Sequence, residues 1–129
     1  MAHANEDLIR GGYEAFARGD VGDVLARFAD DIVWHVPGRN VLAGEYHGHA
    51  GVLGFFARLQ ELTGGTFRLD IHDVMASDGH VAVIVHATAE RAGQAWSSDN
   101  VHVWHVVDGK ATRFRGFSAD PYADDEFWT

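Results

Sequence analysis

The chain has 129 residues and a formal charge of −9 with a single lysine (Lys110), a balance that argues against nucleic acid or an anionic membrane surface as partner. That length suits one domain burying roughly two-thirds of its unfolded surface. The absence of cysteine excludes a disulfide scaffold and thiolate chemistry, and fits a cytoplasmic setting. The stretch MAHANEDLIRGGYEAF lacks the basic-then-apolar layout of a signal peptide. No segment approaches the ~20 apolar residues of a membrane span.

Residues 5–18 predict a first helix, with Leu8, Ile9, Tyr13 and Phe16 as its apolar stripe and Asn5 placed to cap it. Gly19-Asp20 ends that helix and caps a second, where Val24, Leu25 and Phe28 recur at helical spacing. Asp30-Asp31 reads as a turn, and residues 32–36 as a short strand broken by Pro37-Gly38. After a glycine-bounded insert, residues 50–62 predict a third helix with a broad apolar face that includes Phe55 and Phe56. Thr63-Gly64-Gly65 ends it.

Beyond that point the period changes to two. Residues 66–77, 80–91, 96–107 and 111–120 read as long strands joined by turns at Asp78-Gly79, Ala92-Gly93 and Asp108-Gly109. Consecutive strands joined by short turns form an antiparallel meander, so the expected class is α+β, helices first and then a sheet with one face needing cover. The run Val81-Ala82-Val83-Ile84-Val85 is apolar on both parities, from which a homodimer through the outer sheet face is expected. Phe127 and Trp128 are expected to pack back on the domain.

Four stretches occur in an order and spacing that carry a resemblance: Ala17-Arg18-Gly19-Asp20, Phe28-Ala29-Asp30-Asp31, the block from Gly44 to Phe56, and Val106-Val107-Asp108-Gly109-Lys110. Together they resemble the SnoaL-like branch of the nuclear transport factor 2-like superfamily, which also contains ketosteroid isomerase. The resemblance runs from about residue 7 to residue 128 and implies a single domain over 1–129. The implied fold is cystatin-like: a cone-shaped, curved antiparallel sheet packed around three N-terminal helices.

In that superfamily the residue two before the Pro-Gly break points into a pocket, and here it is His35, at the place of the isomerase's aspartate base. A neutral imidazole can take a proton near pH 7. The isomerase also binds its oxyanion with a tyrosine and a protonated aspartate. The tyrosine's place falls on Gly12, with Tyr13 its neighbour ~100° round the helix. The aspartate's place falls on His102, or on Val103 with a slip of one residue. None of the three catalytic residues is retained, which speaks against steroid isomerisation by that route.

Nine histidines raise the question of a metal. His47 and His49 share a side only if extended, no HExxH spacing occurs, and His102 and His105 fall on opposite faces of one strand. The expectation is no metal and, with neither a phosphate loop nor a GxSxG elbow, no cofactor.

The candidate polar set is His35, His102 and Asn100, with Tyr13 assisting. Asn100, His102 and Trp104 share parity, so if one faces the pocket they all do. The opposite set, Val101, Val103, His105 and Val107, is apolar enough to claim that face instead. Trp34, Phe55, Phe56, Trp104, Phe114 and Phe117 are candidates to line a cavity for a small hydrophobic ligand, although core packing explains most of them equally well. Phe114, Gly116 and Ser118 share a face where small residues leave room.

Two functions follow. One is a cofactor-free isomerase, cyclase or dehydratase acting on a small hydrophobic carbonyl compound, with His35 as general base and His102 or Tyr13 assisting. The other is a non-catalytic ligand-binding or dimerisation module.

Overall fold

The computed structural model describes residues 3–129. Helix α1 (Ala4–Ala17) is capped by His3, whose Nδ1 accepts from the Asn5 amide at 3.0 Å, so the cap falls two residues before the Asn5 expected from sequence. Glu6 and Asp7 in the first turn complement the helix dipole. Helix α2 (Val21–Ala26) starts from an Asp20 cap that accepts from the Asp23 amide at 3.1 Å.

Strand β1 (Phe28–Val36) begins four residues earlier than the sequence suggests. Phe28 belongs to this strand rather than to α2, and Asp30-Asp31 lies within it rather than forming a turn. The cause is an irregularity in its pairing with the last strand between Phe28 and Val33, which leaves both aspartates exposed. A short strand β2 (Gly44–His47) pairs antiparallel with β1. Helix α3 (Gly48–Thr63) follows and ends at Gly64, which takes a left-handed conformation with φ 58°.

Strands β3 (Arg68–Ala76), β4 (His80–Arg91), β5 (Gln94–Val107) and β6 (Lys110–Ser118) form the expected antiparallel meander. A final helix α4 (Pro121–Phe127) ends the chain's ordered elements, with Phe127 and Trp128 buried as expected. The sheet order is β2-β1-β6-β5-β4-β3, and β1 joins β6 in parallel, which a meander alone does not supply.

Helices α1 and α3 pack on one face of this curved sheet, α3 against β1 and β2 and α1 against β3 and β4. On β4 the run of valines divides by parity: Val81, Val83 and Val85 are sealed in the core, while Ile84 is 41% exposed on the opposite face. The same parity decides β5. Trp104 is buried and Val101 and Val107 are exposed, so the Asn100, His102, Trp104 set faces the helices. Among the described residues, no helix is long and apolar enough to cross a membrane.

Candidate active site

Between α1, α3 and the concave face of the sheet lies a cavity of about 170 Å³. Its wall is built by alternate residues of three adjacent strands: Trp34 and Val36 from β1, Phe114, Gly116 and Ser118 from β6, and Asn100, His102 and Trp104 from β5. Phe55 and Phe56 close it from α3, and Tyr13 from α1. The aromatic rings hold one another in place. Trp34 and Phe114, paired across β1 and β6, stack at 3.9 Å. Trp104 meets Phe114 at 4.8 Å and Trp34 at 5.6 Å, and Phe56 meets Trp34 edge-on at 5.5 Å.

The polar groups in this apolar wall form two hydrogen-bonded clusters. The Tyr13 hydroxyl lies 2.6 Å from His102 Nδ1, and the Trp104 indole N–H donates to the same hydroxyl at 3.1 Å. Burial without a neighbouring carboxylate pushes the His102 imidazole down to about 4. Burial raises the Tyr13 phenol well above its usual range, against a smaller lowering by the Trp104 hydrogen bond. Both are therefore neutral near pH 7. A second group, Ser98, Asn100 and Ser118, is linked by hydrogen bonds of 2.9 and 3.3 Å and places Asn100 and Ser118 at the same cavity.

His35 does not join them. Its strand neighbours Trp34 and Val36 line the cavity and it does not, because successive side chains on a strand point to opposite faces. It pairs across the sheet with Glu45 and Arg115, both exposed, and its Nδ1 sits 4.0 Å from Glu45 Oε2 with no hydrogen-bond partner. The inward imidazole expected at position 35 is thus on the outer face, and the inward imidazole is His102.

Of the other residues expected at a pocket, Trp34, Phe55, Phe56, Asn100, Trp104, Phe114 and Ser118 line this cavity, while Phe117 only borders it and is 51% exposed. His47 and His49 part company at the start of α3, where His49 Nε2 lies 3.0 Å from the Phe28 carbonyl oxygen. Among the described residues no three His, Asp or Glu side chains converge as metal ligands.

Sequence reasoning missed Asp124. It lines the cavity from α4, where the Trp96 indole N–H donates to its Oδ1 at 3.0 Å. Its neighbour Asp125 ties α4 to the loop after β1, accepting from the Arg39 amide and Asn40 Nδ2, each at 2.8 Å; these bonds hold its carboxyl below the usual range. Gly38 makes that contact possible. It has φ +104°, and a Cβ there would lie 2.5 Å from Asp125 Oδ1. The expectation that the aromatic tail folds back was the only signal for this wall.

The SnoaL-like domain family matches residues 9–114. Uncharacterized proteins of Mycobacterium tuberculosis and Mycobacterium bovis are 34% identical over 126 residues, spanning 97% of this chain and 96% of theirs. Among solved structures, Bal32a from a soil-derived mobile gene cassette is 35% identical with TM-score 0.94, over 98% of this chain and 97% of that one. An NTF2-like protein of Burkholderia pseudomallei is 27% identical with TM-score 0.89, over 99% of each chain. TerC, co-crystallised with polyporic acid, is 29% identical with TM-score 0.86, over 97% of this chain and 98% of its own. The cavity, the helices-then-meander order and these likenesses agree: the chain belongs to the SnoaL-like domain family, on the nuclear transport factor 2-like fold.

Proposed function

We propose that the cavity binds a small, mostly apolar carbonyl compound and promotes a cofactor-free proton transfer in it, of the kind that isomerises, cyclises or dehydrates. The observation carrying this reading is the neutral Tyr13–His102 pair, 2.6 Å apart, set into an otherwise aromatic wall. A few convergent polar groups in an apolar hollow are what orient a ligand and give it chemistry. His102 engages the carbonyl oxygen, with Tyr13 hydrogen-bonded behind it. Asp124, the only carboxylate among the described lining residues, is the group available to take the proton. His35 has no part in the site. That TerC was crystallised with polyporic acid supports reading this hollow as a ligand site.

The test uses acetophenone in D2O. Deuterium should enter its methyl group faster with the protein than without, and Asp124→Asn should remove the acceleration while leaving acetophenone-induced thermal stabilisation in place. His35→Gln should leave both unchanged. Stabilisation with no exchange in the wild type would favour the second reading, a non-catalytic binding module, which the loss of all three isomerase residues also motivates.

The outer face of the sheet supports a homodimer. Ile84, Val101 and Phe117 are direct cross-strand neighbours and are 41%, 38% and 51% exposed. Toward one end of the strands this row gives way to Asp70, His86 and Asp99, and toward the other to His80, His105, Arg113 and Arg115. A copy related by a two-fold axis lays its acidic end over the basic end of its partner. Sedimentation should show a dimer in the wild type and a monomer in Val101→Asp; a wild-type monomer overturns this interface.

A further inference from the structure

The hydrogen bonds around Tyr13 run in one direction. An indole nitrogen can donate and cannot accept, so Trp104 is the donor in its 3.1 Å contact with the Tyr13 oxygen. Tyr13 has one proton of its own to place. Among the described residues its oxygen has one other partner, His102 Nδ1 at 2.6 Å, and a contact that short needs a proton between the two atoms. The hydroxyl proton has no other acceptor among the described residues, so the proton between the oxygen and Nδ1 is its own. Nδ1 is then the bare, accepting nitrogen of a neutral ring, and the ring proton sits on Nε2.

That second nitrogen is not spoken for. Among the described residues, Nε2 of His102 has no hydrogen-bond partner, and it is not one of the sealed polar atoms, which are Arg27 Nε, Trp34 Nε1 and His35 Nδ1. His102 itself lines the cavity. The ring edge carrying Nε2 runs past Gly116, where a Cβ would come 4.0 Å from His102 Cδ2 and 3.6 Å from Pro37 Cδ. A glycine at 116 keeps the space beside that edge open.

We infer that Trp104, Tyr13 and His102 form a one-way donor relay that ends in an N–H facing the cavity, so that the site selects ligands by a hydrogen-bond acceptor and Trp104 is the positioning residue that sets this selectivity. The inference deepens the proposed function and rests on its reading of the cavity as a ligand site. It defines how His102 acts: the imidazole is a donor that polarises a carbonyl oxygen and stabilises negative charge developing there. It is not a base. It also explains why burial and neutrality suit this histidine, since a charged ring would protonate Nδ1 and break the chain from Tyr13.

Long-range ¹H–¹⁵N spectra of the histidine rings test the relay without any ligand, with the His102 signals identified by their loss in His102→Gln. At pH 7 the expected form is protonated at Nε2 and bare at Nδ1. Trp104→Phe keeps an aromatic ring but frees the Tyr13 hydroxyl, and should give a mixture of the two tautomers. Tyr13→Phe should do the same if the Trp104 variant does not fold. The Nδ1–H form in the wild type, or an unmixed Nε2–H form in both variants, overturns the relay.

The ligand arm uses a matched pair, acetophenone and α-methylstyrene, which share a shape and differ by the acceptor oxygen. Acetophenone should bind about tenfold more tightly, the worth of roughly one net hydrogen bond, and the preference should vanish in His102→Phe. Equal affinity in the wild type overturns the selectivity. Failure of both probes to bind shows differently: it overturns the ligand reading of the cavity, and the selectivity with it, while the tautomer spectrum still reports on the relay.

Discussion

Trp34 and His35 are adjacent in sequence and lie in different chemical worlds. Trp34 is 7% exposed and packed against Phe55, Phe56, Trp104 and Phe114. His35 lies over the opposite face beside Glu45 and Arg115. The contrast extends to the sheet as a whole. Its concave face holds neutral polar groups among aromatic rings, and its outer face carries His–carboxylate contacts such as His86–Asp99 at 2.7 Å around an apolar row. A histidine in this fold is therefore defined by its parity. Inside, burial strips His102 of charge; outside, His86 meets the Asp99 carboxylate.

Substitutions at the two neighbours should break this contrast or sharpen it most strongly. Trp34→Ala should cost about 3–5 kcal/mol, since it opens a void in packed aromatics, whereas His35→Ala should cost under about 1 kcal/mol. Denaturant unfolding measures both, and equal costs would refute the assignment of faces.

Acid comes next. The His102 value of about 4 in the folded chain lies below the ordinary 6.5, so the unfolded chain takes the proton more readily. This stability is complete above pH 6.5 and is lost as the pH falls toward 4, by on the order of 3 kcal/mol. Melting temperatures across that window should fall more steeply for the wild type than for His102→Gln; parallel curves would show that the buried imidazole is not what acid attacks.

Tyr13→Phe should cost about 1–2 kcal/mol, because it strands His102 Nδ1 and the Trp104 N–H in an apolar wall. A chemical-denaturation midpoint unchanged from the wild type would contradict the short contact.

The smallest effect concerns what holds the parity in place. Ala92 and Gly93 turn β4 into β5 with φ of 53° and 79°, so an alanine sits where glycine or asparagine is favoured. Ala92→Gly should stabilise the hairpin by roughly 0.5–1 kcal/mol. A loss of stability would show that the turn does not set the register.

Much of this was legible in the sequence, for physical reasons. Strands β3 to β6 alternate cleanly and end at paired turn residues, so class and topology follow from period and punctuation. The shared parity of Asn100, His102 and Trp104 was visible too, but its direction was not. Val101 and Val103 are as apolar as any core pair, and only the cross-strand row of Ile84, Val101 and Phe117 shows that they belong outside. His35 was placed by resemblance to the isomerases, where the base stands at that position. The local pattern pointed the other way, since Trp34 and Val36 were the apolar members of the alternation.

Asp30-Asp31 imitates a turn and hides the first residues of strand β1, whose parallel partner lies about 80 residues away in the chain, beyond the reach of local pattern. Asp124 was hidden for a similar reason. The aromatic tail signals that Phe127 and Trp128 fold back, but not that they bring Asp124 against Trp96.

The direct test of which imidazole serves the cavity is a titration of acetophenone into protein labelled with ¹⁵N-histidine. Saturable shifts at His102 with His35 unmoved are the predicted result. Shifts at His35 with His102 unmoved would return the chemistry to the outer face and contradict the site described above.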